Sequence, residues 1–77
     1  MFFKSKKRII NIERIPTELD ELKIKTNLEN LVDVSKVKIV SKERKIIVSY
    51  DDTIDDILIQ NTIEKLGYTV TGIKDLS

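Results

Sequence analysis

Two alternating stretches, Val34 to Ser41 and Lys45 to Tyr50, are separated only by Lys42, Glu43 and Arg44. In the first, Val37 and Ile39 share one side against Lys36, Lys38 and Val40 on the other; in the second, Ile46, Val48 and Tyr50 share a side. Successive side chains of a strand point to opposite faces, so both stretches read as strands buried on one face. A polar break this short cannot hold a parallel crossover, so the two strands form an antiparallel hairpin. A chain of 77 residues supports one small core, and the flanking segments must pack on this hairpin to share it.

Upstream, Arg8 to Ile15 alternates in the same way, with Ile10 and Ile12 on one face and Ile9, Asn11 and Glu13 on the other. Pro16 fixes its own φ and disfavours helix at Ile15, and Thr17 followed by Asp20 sets an N-cap hydroxyl beside a first-turn acid, so a helix starts at Thr17. Ile24, Leu28 and Leu31 fall on one stripe of that helix at ~100° per residue, while Leu19 and Leu22 lie together on the opposite side. Asp33 tolerates a left-handed turn into the hairpin. Downstream, Asp51, Asp52, Asp55 and Asp56 precede a second stripe of Ile59, Ile63 and Leu66, which stops at Gly67. Tyr68 to Ile73 forms a last strand with Val70 inward. The order strand, helix, strand, strand, helix, strand predicts an α+β, ferredoxin-like fold: a four-stranded antiparallel sheet with both helices on one face. Residues 1–77 form a single domain, with a flexible basic tail over 1–7 and a short tail over 75–77.

Composition removes several functions. With neither Cys nor His there is no disulfide, no thiolate or imidazole metal site and no redox thiol, which is compatible with a reducing cytoplasm. A net charge of +1 supplies no global field for nucleic acid or an anionic membrane. No apolar run reaches the ~20 residues of a membrane span, and Met1 to Arg8 is not a signal peptide, although Phe2 and Phe3 beside four cations could touch anionic headgroups. The acids ahead of the second helix do not match a calcium-loop spacing and are explained by capping and the helix dipole. Without a nucleophile and base pair or a Gly-rich phosphate loop, the chain reads as a non-enzyme.

Three segments together resemble the heavy-metal-associated domain of copper chaperones and of the amino-terminal regions of metal-transporting P-type ATPases. They are Asn30-Leu31-Val32-Asp33-Val34-Ser35-Lys36-Val37-Lys38-Ile39, then Ile46-Ile47-Val48-Ser49-Tyr50-Asp51, then Ile63-Glu64-Lys65-Leu66-Gly67-Tyr68-Thr69-Val70. The resemblance covers roughly Ile10 to Ile73, with Asp33 where a glycine is usual. It implies the ferredoxin-like fold and, for ordinary members, two thiolates that take Cu(I) or a similar soft ion and pass it to a partner. Laid on this chain without a gap, the family's loop puts its glycine and methionine on Arg14 and Ile15 and its two cysteines on Thr17 and Asp20. Neither a hydroxyl nor a carboxylate replaces a thiolate for a soft ion, so the chain is expected to be a degenerate member without a metal cofactor.

Glu18 and Asp20 are about 200° apart on a helix, so at most Asp20 and Glu21 converge and any hard-ion site is weak. The resemblance therefore implies a docking or regulatory module of metal homeostasis, whose partner is a metal-transporting P-type ATPase or another ferredoxin-like domain. A weak homodimer is a further expectation. The docking residues are Ile15, Pro16, Thr17, Leu19, Asp20, Leu22 and Tyr68. The alternative is a chaperone or ATPase domain retaining weak, oxygen-ligated metal binding. Exposed leucines and a plain helix cap are also ordinary features of a small domain, and Arg14 is placed to pair with Asp20 or Glu13.

Overall fold

The computed structural model describes residues 6–76. Strand β1 is Lys6–Ile12, helix α1 is Glu18–Glu29, strand β2 is Val34–Val40, strand β3 is Lys45–Tyr50, helix α2 is Asp56–Glu64 and strand β4 is Val70–Asp75. The sheet order is β2-β3-β1-β4, and every neighbouring pair is antiparallel. This is the split βαβ arrangement that the alternation predicts. In the hairpin a single 3₁₀ turn, Ser41–Glu43, is closed by Arg44 in the left-handed region at φ 55°, with its N–H on the Ser41 carbonyl at 2.9 Å. Asp33 is left-handed as well, at φ 72°.

The inward face of the sheet carries Ile10, Ile12, Val37, Ile46 and Val48; Ile24 and Leu28 from α1 and Ile59 and Ile63 from α2 close over it, with Tyr68. Both helices therefore cover the same face. Each of these aliphatic side chains is nearly or wholly removed from water, which stabilises by roughly 1.5–3 kcal/mol apiece before entropy is counted. On α1 the stripe is narrow: Ile24 and Leu28 are buried, whereas Leu19 and Leu22 face water.

The strand limits differ from the expected ones at both ends of the chain. β1 begins at Lys6 rather than Arg8, because β3 offers it partners as far as Lys6 opposite Tyr50 and Lys7 opposite Ser49. Lys6 and Lys7 therefore belong to the sheet and not to the basic tail expected over 1–7. β1 ends at Ile12 rather than Ile15, where the Glu13 N–H turns to the Thr69 carbonyl at 3.0 Å and the chain leaves the ladder. β4 starts at Val70 rather than Tyr68 and runs past the expected end at Ile73 to Asp75, since Lys74 and Asp75 find partners in Ile9 and Arg8, so Asp75 belongs to the sheet and not to the tail expected over 75–77. The expectations for Phe2, Phe3 and Ser77 lie outside the described residues.

Candidate functional site

The segment between β1 and α1 is fixed from three sides. Pro16 is buried at its centre. Thr17 is extended at φ −70° and ψ 162°, and its hydroxyl accepts from the Asp20 N–H at 3.1 Å while its carbonyl accepts from the Glu21 N–H at 2.8 Å. This is the expected N-cap, which satisfies one of the N–H groups that the first turn of a helix leaves without an intrahelical partner.

Tyr68 supplies the second restraint. Its ring is only 1% exposed, and its hydroxyl donates to the Asp20 carboxylate in a short hydrogen bond. Gly67, at φ +92°, ends the preceding helical segment in a conformation open chiefly to glycine and so aims Tyr68 back at the loop. The third restraint is Arg14. Its guanidinium carbon lies 3.9 Å from the centroid of the Tyr68 ring, and its Nη2 donates to the Gly67 carbonyl at 2.8 Å. Arg14 therefore pairs with neither Asp20 nor Glu13, contrary to expectation: a backbone carbonyl and a ring face stand closer in its path than either carboxylate. The Arg14–Tyr68–Asp20 cluster spans the loop, the first turn of α1 and the turn into β4.

The candidate docking residues divide by exposure. Ile15 is 56% exposed, Leu19 62% and Leu22 61%, Thr17 is exposed and Asp20 is half-buried; Pro16 and Tyr68 are buried. The exposed members form the outer surface at the start of α1, whereas Pro16 and Tyr68 hold that surface in place from beneath. Leu22 also walls an open cleft of ≈ 540 Å³ between α1 and the edge strand β2, together with Glu21, Lys25, Lys38 and Ile39. The sequence pattern does not disclose that cleft, which depends on how α1 sits along the edge of the sheet.

Thr17 and Asp20, on which the resemblance lays the family's two cysteines, are thus engaged by the chain itself. The Thr17 hydroxyl serves the helix terminus and the Asp20 carboxylate serves Tyr68. Among the described residues, no group of three or more His, Cys, Asp or Glu side chains is placed to hold a metal ion. A hydroxyl and one carboxylate do not fit a soft cation such as Cu(I), whose affinity depends on polarisable sulfur.

Among solved structures, the yeast copper transporter domain CCC2A, solved in apo and Cu(I)-loaded states, superposes with a TM-score of 0.77 at 22% identity, over 94% of this chain and 96% of that one. The CopZ metallochaperone gives 0.78 at 23% identity over 84% and 98%. A copper-binding domain from the P-type ATPase HMA7 gives 0.73 at 16% over 94% and 95%. The fold is that of heavy-metal-associated domains. The similarity runs nearly end to end in each case, so the shared feature is the whole sandwich and not a local motif. No protein-family model matches the sequence, and no curated protein matches it. The heavy-metal-associated fold is accordingly present here in a chain without cysteine.

Proposed function

We propose that this chain is a degenerate heavy-metal-associated domain that carries no metal and works as a cytoplasmic docking or regulatory module in heavy-metal, above all copper, transport. The observation that supports this reading is the use of Thr17 and Asp20. Both former ligand positions are committed to holding the loop, while Ile15, Leu19 and Leu22 stand exposed beside them. Three large aliphatic side chains grouped at one end of a small domain offer apolar area to a partner, and a rigid loop spares that partner the entropy of ordering it. Ile15, Thr17, Leu19, Asp20 and Leu22 make the contact, and Pro16 and Tyr68 support it from below. The partner is a metal-transporting P-type ATPase domain or another ferredoxin-like domain; domains named for these roles share this chain's fold.

The test uses the CopZ metallochaperone and the HMA7 domain as probes, titrated into the labelled chain and followed by NMR shifts. Docking at this surface predicts shifts centred on Ile15, Leu19 and Leu22, and a loss of affinity of about tenfold or more in a Leu19→Glu/Leu22→Glu variant. Equal affinity in the variant would remove this surface from consideration. Competition with Cu(I) and Zn²⁺ separates the metal reading: an affinity that falls in Asp20→Asn would replace docking by oxygen-ligated metal binding. A Thr17→Cys/Asp20→Cys variant serves as the positive control for Cu(I).

A further inference from the structure

The small net charge conceals a segregation of charge across the sandwich. The core takes Ile10, Val37, Ile46, Val48 and Ile73 on one side of the sheet, and the residues alternating with them form the open side. Register places Lys38 beside Ile47, Ile47 beside Ile9, and Ile9 beside Lys74, in one row across all four strands. The next row sets Lys36 beside Ser49 and Ser49 beside Lys7. At ~4.8 Å per strand, Lys38 and Lys74 stand about 14 Å apart, with half-buried Ile9 and Ile47 flush between them.

Lys7, Lys36, Lys38 and Lys74 are exposed, and none of them forms an ion pair among the described residues. A further cation, Lys45, is paired with Glu43 at 3.3 Å. No strand residue on this side is a carboxylate: Asp75, the one acid within β4, turns to the helix side and meets Arg8 at 3.1 Å. The helix layer has the opposite balance. Helix α1 sets Glu18, Asp20, Glu21 and Glu29 against Lys23 and Lys25, and α2 adds Asp55 and Glu64 against Lys65, with Asp56 and Asp75 met by Arg8. The domain is an electric dipole normal to the plane of its sheet.

We propose that the open face of the sheet docks on the surface of an anionic lipid bilayer, its lysines on the headgroups and its acidic helices turned to solvent. The charge dipole favours this orientation and opposes the reverse one. The lysines are spread over a broad strip, and anionic lipids diffuse laterally to meet such spacing, whereas a folded acidic partner needs carboxylates built to match it. Aliphatic Ile9 and Ile47 at the centre suit an interface whose inner edge is apolar. Single-stranded RNA would need stacking platforms, but Tyr50 and Tyr68 are both buried on the core side, leaving no ring on this face among the described residues. Lysines near an anionic surface attract it additively, and the attraction fades within a Debye length, about 8 Å at physiological salt.

The experiment is co-sedimentation of the chain with vesicles of phosphatidylcholine alone or mixed with phosphatidylserine. Binding to the mixed vesicles only, and its loss near 1 M salt where the Debye length is about 3 Å, is expected. Lys38→Glu/Lys74→Glu should lower the partition coefficient by about two orders of magnitude. Lys23→Glu/Lys65→Glu makes the same change of charge on the exposed side of the helices and should leave partitioning within about threefold, since those positions face away from the surface. Circular dichroism establishes that both variants fold; if the first does not, Lys7→Gln/Lys36→Gln replaces it, with a fall of about tenfold expected. No binding to the mixed vesicles, equal losses in the sheet-side and helix-side variants, or capture of single-stranded RNA or polyglutamate in place of vesicles would each overturn the proposal.

Discussion

Each helix enters the sandwich beside a cluster of the same three kinds of side chain: an arginine, a tyrosine ring and a first-turn aspartate. At α2, Arg8 lies 5.3 Å from the centroid of Tyr50 and meets Asp56 at 3.1 Å and Asp75 at 3.1 Å. At α1, Arg14 lies 3.9 Å from the centroid of Tyr68, but its hydrogen bond goes to the Gly67 carbonyl and the tyrosine hydroxyl meets Asp20. At α2 a cation neutralises the acid directly and ties β1, β4 and the helix together. At α1 the cation holds a ring and a carbonyl, and a hydroxyl satisfies the acid. The α1 cluster lies where the family resemblance places two thiolates, and the comparison shows that the arrangement there is one the fold also uses at its other helix. A loop without cysteine is in this way held by ordinary scaffold chemistry.

The largest effects separate the two tyrosines. Both rings are buried, so Tyr68→Ala and Tyr50→Ala should each cost about 3–5 kcal/mol in urea denaturation. Removing the hydroxyl alone breaks the symmetry. Tyr68→Phe leaves the half-buried Asp20 carboxylate without its donor and should cost about 1–2 kcal/mol. Tyr50 engages Arg8 through its ring, which phenylalanine retains, so Tyr50→Phe should stay within about 0.5 kcal/mol. Equal costs for the two Phe variants would mean that the Tyr68–Asp20 bond does not hold the loop.

The caps give the next largest effects. Asp55 accepts from two N–H groups, Ile57 at 2.9 Å and Leu58 at 3.3 Å, and Thr17 from one, Asp20 at 3.1 Å. Asp55 also places a negative charge at the positive end of the helix dipole. Replacement by Ala should cost about 1–2 kcal/mol at Asp55 and about 1 kcal/mol or less at Thr17, measured by thermal unfolding. The reverse order would mark the α1 entry as the tighter of the two.

Much of the fold was legible because local chemistry and tertiary packing agree. The alternation of Val37 and Ile39 and of Ile46 and Val48 and the Thr17 cap act within a few residues and survive in the structure, whereas α2 ends at Glu64, before it reaches Leu66, and Gly67 keeps only its left-handed turn. The strand limits were less legible, because pairing partners rather than propensity keep Lys6, Lys7, Lys74 and Asp75 in the sheet. At the candidate site, the exposure of Leu19 and Leu22 followed from helical spacing. The Arg14–Tyr68–Asp20 cluster did not, since Gly67 and Tyr68 lie some fifty residues from the loop and only the crossover to β4 brings them there. Alternation placed Lys36 and Lys38 on the outer face of the sheet, but the rows were not legible, because strand register brings in Lys7 and Lys74 from two other segments.

The smallest effects come from the arginines, and they bear most directly on what holds each loop. Burial lowers the Arg8 pKa, but the hydrogen bond to Asp56 and the charges of Asp56, Tyr50 and Asp75 outweigh it, leaving a net rise above the ordinary arginine value. A raised folded-state pKa contributes stability that is complete below the unfolded value and is lost only as pH climbs through the folded one. That window lies beyond any ordinary alkaline titration, so raising the pH does not weaken the contact and substitution is the direct way to probe it. Lysine keeps the charge but loses the planar fork that lets one side chain meet Asp56 through Nε and Asp75 through Nη1. Arg8→Lys should therefore lower stability by about 0.5–1 kcal/mol, discounted for two partly exposed carboxylates. Arg14→Lys gives up stacking on Tyr68 but can still reach the Gly67 carbonyl with its ammonium, so about 0.5 kcal/mol is expected. The local readout differs more than the energy does. Amide hydrogen exchange should rise at residues 13–17 in Arg14→Lys and at residues 51–56 in Arg8→Lys, because each cation restrains only its own helix entry.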